Sequence, residues 1–423
     1  MANIGDQHGS VVEEDVRAIA ARLGLADFVY RAELVARGGG NREPGDALIY
    51  ANGLGAIVQV KSRDPEVASG DTPARVQAWV DKHGRKATQQ ATGTRRELIR
   101  LRDGGQPILA LPVRASHLPI EDQRRAGLLL DLAIESWPTI VVLDHPLAEN
   151  ARSPLPADVF WITLDDWRAL HQAIRSTTGV LTYVNRVLAA DPVPQWTLGT
   201  EHLRYAAFVD ADMTAAASDG SSAGYFDWSV LDEPVAVELY RDVMQRLWPE
   251  DGQLPYVPID EYRLVLEHLD GIAPGEAAAL GRWIHRKREH LRAQRAWASG
   301  VSLGDGRVLV YACDHATNYE ELEHFDAELM ALLATRCSEY REAGHPVAQG
   351  CGVGVLQGEG WLDYRYVFMK PPVEIPLGVR FGVQQQRGRL DIARRRVIDV
   401  ERVGRNAMCP CGSGLKFKRC HGG

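Results

Sequence analysis

Residues 44–61 read PGDALIYANGLGAIVQVK, and this stretch predicts a tight β-hairpin with its polar side chains gathered at one end. The first strand starts at Asp46 and the second ends at Lys61, and the asparagine and glycines between them tolerate the positive φ of a tight turn. Side chains alternate along a strand, so Gln59 and Lys61 share one face of the second strand. We therefore expect a carboxylate, an amide and an ammonium group to meet at one edge of a hydrophobic sheet.

This set of side chains suits the metal-assisted hydrolysis of a phosphodiester. An aspartate binds a hard divalent cation such as Mg²⁺ or Mn²⁺, and a lysine orients or deprotonates the attacking water. The alternative interpretation is an ordinary hairpin that ends in a solvated lysine, because an aspartate followed by Gln-x-Lys also arises by chance. The elements on either side of the hairpin favour the first interpretation.

Asp46 followed by Gln59-Val60-Lys61 resembles the active-site signature of the PD-(D/E)xK nuclease superfamily in its QxK form, which is typical of Mrr-like restriction endonucleases. The resemblance implies an α/β protein with a restriction-endonuclease-like core, in which a mixed sheet is flanked by helices. It also implies that Mg²⁺ or Mn²⁺ is held by Asp46 and Glu13. The catalytic set that the resemblance implies is Glu13, Asp46, Gln59 and Lys61.

A helix is expected over residues 11–23, upstream of the hairpin, because its apolar residues recur at helical spacing. Glu13 and Glu14 would lie in its first turn, where the helix dipole also favours acidic residues. Mrr-like enzymes carry a glutamate on this helix that joins the metal site. Counting back from Gly24 matches Glu13 best, with Glu14 as the alternative. A helix glutamate would restore the negative charge that Gln59 lacks.

A second helix is expected to start at Thr72-Pro73, a capping residue followed by proline at the first helical position. It continues to Arg102, with Gly84 and Gly93 as expected breaks. Its many cations usually indicate a solvated helix face, but directly after the catalytic strand they are also placed to meet a phosphate backbone. The residues assigned to nucleic-acid binding are Lys82, Arg85, Lys86, Arg95 and Arg96. Short apolar runs predict the remaining strands, at residues 107–113, 139–143 and 159–164.

The chain has 423 residues, of which 45% are hydrophobic, and this is enough for two or three cores. A proline-containing linker at residues 190–194 predicts the first domain boundary. Residues 215–224 lack periodic apolar content and are predicted to form a loop. The expected domains are a nuclease-like domain at 1–190, an α+β domain for recognition or assembly at 191–401, and a small zinc-bound tail at 402–423.

The net charge of −8 argues against a protein that coats nucleic acid through bulk charge, although it allows one local basic strip. The polar, acidic start is neither a signal peptide nor a transit peptide, and no apolar run reaches the length of a membrane span. Cys313, Cys337 and Cys351 are scattered, which fits buried free thiols in a reducing compartment. We therefore expect a cytoplasmic protein with no membrane partner.

The other three cysteines lie in the tail, where CPCGSGLKFKRCH at residues 409–421 has the composition of a zinc site. Two thiols separated by one residue, then a Cys-His pair after glycines, supply the four ligands that tetrahedral zinc prefers. Too few apolar residues are present for a core, so metal ligation must provide the folding energy. The expected structural Zn²⁺ ligands are Cys409, Cys411, Cys420 and His421.

This tail closely resembles the SEC-C motif at the C-terminus of the SecA translocation ATPase. The resemblance covers only about the last twenty residues. No GxxxxGK[ST] phosphate loop is present in the chain, so no ATPase activity is inferred. In that family the motif is a small zinc-held unit that docks a partner protein. The basic residues around it leave a protein, ribosome or nucleic-acid surface open as the partner.

Two functions from different classes follow from these patterns. The first is a divalent-metal-dependent endonuclease that hydrolyses DNA, with RNA not excluded, in bacterial restriction or phage defence. The second is a catalytically inactive, nuclease-fold adaptor that binds nucleic acid or a protein through its zinc tail. Gln59 keeps the second open, because a neutral amide binds Mg²⁺ more weakly than a carboxylate. Double-strand breaks from a single-site domain need two copies, so we also expect a homodimer.

Overall fold

The computed structural model divides the chain into two compact units, residues 1–293 and 294–423. Within residues 4–369 it describes all but fourteen short segments. The residues that it leaves undescribed are 1–3, 33–34, 38–39, 43–44, 105–108, 130–133, 155–158, 191–196, 220–224, 250–252, 256–257, 292–296, 304–305, 316–319, 358–361 and 370–423.

The first unit is an α/β structure with nine described strands. These are β1 (Val29–Ala32), β2 (Val35–Arg37), β3 (Gly40–Arg42), β4 (Ala47–Ala51), β5 (Leu54–Ser62), β6 (Leu109–Pro112), β7 (Leu128–Leu129), β8 (Thr139–Asp144) and β9 (Val159–Thr163). Its described helices are α1 (Ile4–Leu23), α2 (Pro65–Ala68), α3 (Pro73–Asp103), α4 (Ile120–Arg125), α5 (Leu164–Ile174), α6 (Thr177–Ala189), α7 (Glu201–Asp219), α8 (Ser229–Asp232), α9 (Pro234–Gln245), α10 (Ile259–Asp270) and α11 (Pro274–Leu291).

Seven of these strands form one mixed sheet, in the order β7-β6-β1-β4-β5-β8-β9. The hairpin partners β4 and β5 are antiparallel, whereas β5, β8 and β9 run parallel to one another. Helix α3 packs on one face, against a core that includes Ile57 and Val141. On the other face the ring of Tyr183 in α6 packs edge-on against Phe160, and α1 and α5 also contact the sheet. A mixed seven-stranded sheet flanked by helices is thus observed.

The hairpin turn consists of Asn52 and Gly53, whose φ angles of 52° and 75° are both positive. This pair is typical of the two-residue turns that match the twist of the strands. Gly55 has a different role from the one expected, because it lies inside β5 with a negative φ. A Cβ atom there would lie 2.0 Å from the indole of Trp137, so the glycine makes room for that ring.

Helix α3 is continuous over its 31 residues, so the expected breaks at Gly84 and Gly93 are wrong. Thr72 caps it as predicted, since its hydroxyl accepts a hydrogen bond from the amide of Arg75. Gly84 instead allows close approach to the sheet, because a Cβ atom there would lie 2.7 Å from Pro154 and 2.9 Å from Trp161. A single glycine costs a helix only about 1 kcal/mol, which the packing of this helix offsets.

Helix α1 starts at Ile4, seven residues before the predicted start at residue 11. Glu13 and Glu14 therefore lie in the middle of the helix and not in its first turn. The helix dipole acts within the first and last turns, so it does not explain these two acidic residues. Their presence needs another reason.

Helices α7 to α11, which follow residue 190, pack within the first unit. The carboxylate of Asp270 in α10 accepts hydrogen bonds from the amides of Thr177 and Thr178 at 3.1 and 2.7 Å, at the start of α6. The side chain of Arg241 in α9 donates to the carbonyls of Arg22 and Gly24 at 2.7 and 2.8 Å. The compact unit thus extends past residue 190, where the sequence analysis places a domain boundary.

The second unit contains a four-stranded sheet in the order β10-β11-β12-β13. Its elements are β10 (Trp297–Leu303), β11 (Arg307–His315), α12 (Glu320–Glu342), β12 (Gln349–Gln357) and β13 (Leu362–Met369). Strands β11 and β12 are parallel and joined through α12, which packs Leu329 and Leu333 into the core of this unit. The three cysteines among the described residues of this unit, Cys313, Cys337 and Cys351, are buried and form no disulfide, as predicted.

None of the helices in the described part of the chain is both long and apolar enough to span a membrane.

Acid is expected to destabilise the first unit by protonating His171 in α5. This ring is 0% exposed and neither of its nitrogens has a hydrogen-bond partner among the described residues. Burial, reinforced by the charge of Arg241, lowers the pKa of His171 from 6.5 to about 3. Between these two values the unfolded chain binds a proton that the folded chain does not, so this part of the stability is present above pH 6.5 and is lost as the pH falls.

Urea denaturation of the wild type and of His171→Leu, at a series of pH values, tests this effect. Leucine is apolar and similar in size, so the variant keeps the packing and loses the titration. Relative to the variant, we expect the wild type to lose about 3 kcal/mol between pH 7 and pH 4. Stability curves that run parallel over this range would show that His171 does not titrate as described.

Candidate functional site

Asp46 lies immediately before β4, directly across from the end of β5. The amide of Val60 donates to Asp46 Oδ2 at 2.6 Å, and the Arg17 side chain donates to the backbone carbonyl of Asp46 at 2.7 Å. Burial raises the pKa of Asp46, while the Val60 amide and the charges of Lys61 and Arg17 act to lower it. Hydrogen bonds fix the position of this carboxylate, and burial disfavours its charged form. A bound cation would stabilise that charged form.

Lys61 lies on the same edge, and its Nζ donates to the carbonyl of Val60 at 2.6 Å. Burial lowers the pKa of Lys61, and nearby Lys86 lowers it further, whereas Asp46 and Glu13 act to raise it. The two acidic residues therefore lie close enough to Lys61 for their charges to act on it. Three of the four predicted catalytic residues, Glu13, Asp46 and Lys61, come together at the edge where β5 ends.

Of the two glutamates on α1, Glu13 is the one that acts on this edge. The carboxylate of Glu14 is paired with Arg17 at 2.8 Å and with Arg31, and its side chain is 53% exposed. The geometry of α1 agrees, because a Cβ atom on Gly9, one turn before Glu13, would lie 3.7 Å from Ser62 at the end of β5. The preference for Glu13 over Glu14 is thus consistent with the structure.

Gln59 is 2% exposed and lies on the face of β5 that points toward α3. The strand register pairs Ala47 with Val58, which puts the next pair, Asp46 and Gln59, at adjacent positions on one face. A Cβ atom on Gly45 would lie 3.2 Å from Gln59 Nε2, so the amide sits directly beside the start of β4. The buried amide is thus adjacent to the buried carboxylate.

Helix α3 runs antiparallel to β5 across this face. The Cβ position of Gly45 lies 3.6 Å from both Ile57 and Thr94, near one end of the contact. At the other end Lys86 acts on the charge of Lys61. Four of the five predicted nucleic-acid-binding residues are exposed, and these are Lys82, Arg85, Lys86 and Arg96.

Arg95 differs from these four cations. Its guanidinium donates to the carbonyl of Trp137 at 2.6 Å and to the hydroxyl of Thr139 at 3.0 Å. Both acceptors belong to the segment that enters β8, so Arg95 ties α3 to the sheet. Its assignment to nucleic-acid binding stays a prediction. Its side chain is already engaged in hydrogen bonds that join α3 to the start of β8.

A group of aromatic and titratable residues beside Lys61 was not expected from the sequence. The imidazole of His83 stacks on the indole of Trp79 with ring centroids 4.8 Å apart, and His145 meets the same indole edge-on at 5.0 Å. Asp71 binds Arg63 Nε at 2.6 Å and His145 Nε2 at 3.2 Å. The i,i+4 spacing of Trp79 and His83 was visible in the sequence, but their proximity to Lys61 depends on the tertiary fold.

The described residues contain no group of three or more His, Cys, Asp or Glu side chains that could together hold a metal ion. The edge at Lys61 offers a smaller set, made of the carboxylates of Asp46 and Glu13 and the amide of Gln59. All three are oxygen donors, which is the chemistry that Mg²⁺ and Mn²⁺ prefer. The donor set therefore fits a hard divalent cation.

Comparison with known protein families adds information on the other end of the chain. Residues 405–423 match the SEC-C motif family. The match confirms the resemblance of the tail to the SEC-C motif and includes Cys409, Cys411, Cys420 and His421, all of which lie outside the described residues. No solved structure matches the chain. The nuclease assignment of the first unit stays a prediction.

Proposed function

We propose that the chain is a divalent-metal-dependent endonuclease with a restriction-endonuclease-like core, which hydrolyses DNA in bacterial restriction or phage defence. The observation that carries this proposal is the meeting of Asp46, Glu13 and Lys61 at the end of β5. These groups come from three separate segments of the chain. An accidental Asp and Gln-x-Lys pattern would not bring in a glutamate from a distant helix.

Asp46, Glu13 and Gln59 would hold the cation. Val60 N–H occupies Asp46 Oδ2, so Oδ1 is the oxygen that a cation would take. The buried amide of Gln59 supplies a neutral oxygen, and Glu13 supplies the second negative charge. When bound, Mg²⁺ or Mn²⁺ would polarise the scissile phosphate and supply charge stabilisation to the pentacoordinate phosphorus.

Lys61 is the group that handles the proton of the attacking water. Burial and Lys86 lower its pKa, which increases the fraction of neutral amine that can accept a proton. The water oxygen forms a bond to phosphorus, the phosphorus–oxygen bond to the leaving sugar breaks, and the leaving oxygen takes a proton from solvent. The exposed cations of α3 orient the phosphate backbone over this site.

Incubation of the intact protein with plasmid DNA and with RNA, in Mg²⁺ or Mn²⁺, tests the proposal. We expect nicks or double-strand breaks in the plasmid, and double-strand breaks would be accompanied by a homodimer in solution. Cleavage of RNA alone would move the substrate from DNA to RNA with the same mechanism. An intact protein that binds nucleic acid and cuts none would favour the adaptor.

The adaptor function rests on a specific observation, namely Gln59 in place of a carboxylate. With an amide at position 59, the hairpin offers Mg²⁺ one carboxylate in place of two. In the adaptor, the nuclease-like unit binds nucleic acid and the SEC-C tail recruits a partner. We retain the nuclease as the first proposal because Glu13 returns the missing charge to the edge at Lys61.

The tail is proposed to hold one structural Zn²⁺ through Cys409, Cys411, Cys420 and His421. Four protein ligands leave no open position for water, so this zinc would have no catalytic role. We expect elemental analysis of fresh protein to give about one zinc per chain, and the double variant Cys409→Ser with Cys411→Ser to give none. The matched control, Cys313→Ser with Cys351→Ser, changes buried thiols of the second unit and keeps the zinc. Fresh wild-type protein without zinc would refute the assignment.

A further inference from the structure

We propose that His83 is a phosphate-binding residue that takes up a proton when a nucleic-acid backbone docks beside Lys61. This inference rests on the proposed nucleic-acid substrate but not on cleavage. Nothing in the sequence motif or in the family match assigns a role to His83. The position of its ring and the charges that surround it support this role.

The ring of His83 has a fixed orientation and an open side. Its stack on Trp79, with centroids 4.8 Å apart, holds one face of the imidazole. The residue is only partly buried, and within the described chain no hydrogen bond holds either ring nitrogen. A rigid imidazole with accessible nitrogens is able to accept a ligand without reorganisation.

Cations surround this ring from two elements. Lys82 and Lys86 flank it on α3, and Lys61 and Arg63 face it from the end of β5. Asp71 pairs with Arg63 and with His145, which meets the same Trp79, so the charge of this carboxylate is already used. These cations would attract an anion placed beside the ring. The neutral imidazole adds no charge of its own until it takes up a proton.

The direction of the proton linkage follows from these charges. Burial lowers the pKa of His83, and the charges of Lys82, Lys86, Lys61 and Arg63 lower it further, so the ring is neutral near pH 7 in the free protein. A bound phosphodiester offsets the positive charge and favours the imidazolium, which then donates to a phosphate oxygen. The pKa of His83 thus rises when the phosphodiester binds. The affinity for nucleic acid therefore increases as the pH falls from about 7.5 toward the lowered pKa of His83 in the free protein.

Isothermal titration calorimetry of the full chain with a duplex DNA oligonucleotide tests this inference. No divalent cation is added, so the duplex stays intact. Titrations in two buffers with different ionisation enthalpies, at pH 6.5, give the number of protons taken up. We expect wild type to take up a fraction of one proton and His83→Asn to take up close to none. Between pH 7.5 and pH 6 wild-type affinity should rise about threefold to tenfold more than that of the variant.

Two further variants keep the result interpretable. His117→Asn changes an exposed histidine on another segment of the same unit and should keep the wild-type proton uptake. His83→Gln, which preserves hydrogen bonding without titration near pH 7, should behave as His83→Asn and covers the case that the latter does not fold. A duplex RNA of the same sequence is titrated in parallel, and His83-dependent uptake with either duplex supports the inference.

The outcomes separate this inference from the nuclease proposal. Proton uptake that is unchanged in both His83 variants overturns the role of His83, even if the protein cleaves DNA. Failure of both duplexes to bind overturns it as well. An intact protein that shows His83-dependent uptake but cuts no nucleic acid with Mg²⁺ overturns the nuclease and leaves the phosphate site standing.

Discussion

The Asp46→Asn variant should lose DNA cleavage, with a single-turnover rate at least about 10²-fold to 10⁴-fold below that of the wild type. Asparagine keeps an oxygen that can accept the hydrogen bond from the amide of Val60, so the hairpin retains its contact at the start of β4. It removes one of the two carboxylates that face Lys61, and with it half of the negative charge available to a divalent cation. The cleavage rate of Lys61→Met should fall by a similar factor. The methionine side chain fills the same space as the lysine stem but cannot accept a proton.

The matched control for Asp46 is Asp165→Asn. Asp165 is the first acidic residue of α5, its side chain is 87% exposed, and its partner is Arg168 at 3.0 Å on the same helix. We expect this variant to cleave at the wild-type rate. If Asp46→Asn and Lys61→Met both cleave as fast as Asp165→Asn under single-turnover conditions, the hydrolytic site lies elsewhere. Equal DNA binding by all four proteins would show that the loss concerns the chemical step.

Local sequence patterns predicted several elements of the first unit. The alternation in the hairpin, the Thr72-Pro73 start of α3 and the short apolar runs gave strands and helices that the structure contains. The errors have local causes. The helix over residues 201–219 includes Ala215 to Asp219, a segment predicted to be a loop because it lacks apolar periodicity. Alanine is the strongest helix former, so propensity outweighed the missing stripe there.

The candidate site was predictable in part because Asp46, Gln59 and Lys61 lie on a hairpin, whose strands are close in sequence and whose register is set by the turn. A two-residue turn fixes which residue of β5 faces Asp46, so Gln59 and Lys61 follow from counting. Glu13 needed the family resemblance, since its distance from Lys61 depends on how α1 crosses the sheet. His83, Trp79 and the pair of Asp71 with Arg63 could not be foreseen. Their proximity depends on the angle at which α3 packs against β5, and no local pattern encodes that angle.

The packing of α9 against the end of α1, and of α10 against the start of α6, also has no local sequence signal. Arg241 reads in the sequence as one more charged residue on an amphipathic helix, yet its side chain is 1% exposed. Its guanidinium reaches the end of α1, more than two hundred residues earlier in the chain. A buried cation that satisfies distant carbonyls leaves no signature in the spacing of its neighbours.

Arg241→Met is therefore expected to have the largest effect on stability. The guanidinium donates to the carbonyls of Arg22 at 2.7 Å, Gly24 at 2.8 Å and Arg175 at 3.1 Å, and also to Leu23. These carbonyls terminate α1 and α5, where the last turn of a helix has no partners of its own. Methionine fills much of the volume but donates no hydrogen bond, so several carbonyls would be buried without a partner. The cost should be about 3–5 kcal/mol.

Differential scanning calorimetry measures this loss as a fall of about 10 °C in the unfolding temperature of the first unit. Arg246→Met is the matched control, because Arg246 follows the same helix, is 42% exposed and pairs with Asp242 four residues earlier. Exposed pairs of this kind contribute about 0–1 kcal/mol, so the control should shift by no more than about 2 °C. Equal shifts for the two variants would mean that α9 gains no stability from the carbonyls at the ends of α1 and α5. A large loss for Arg241→Met alone would show that residues beyond 190 stabilise the ends of α1 and α5, so a fragment ending at residue 190 should be less stable than the intact unit.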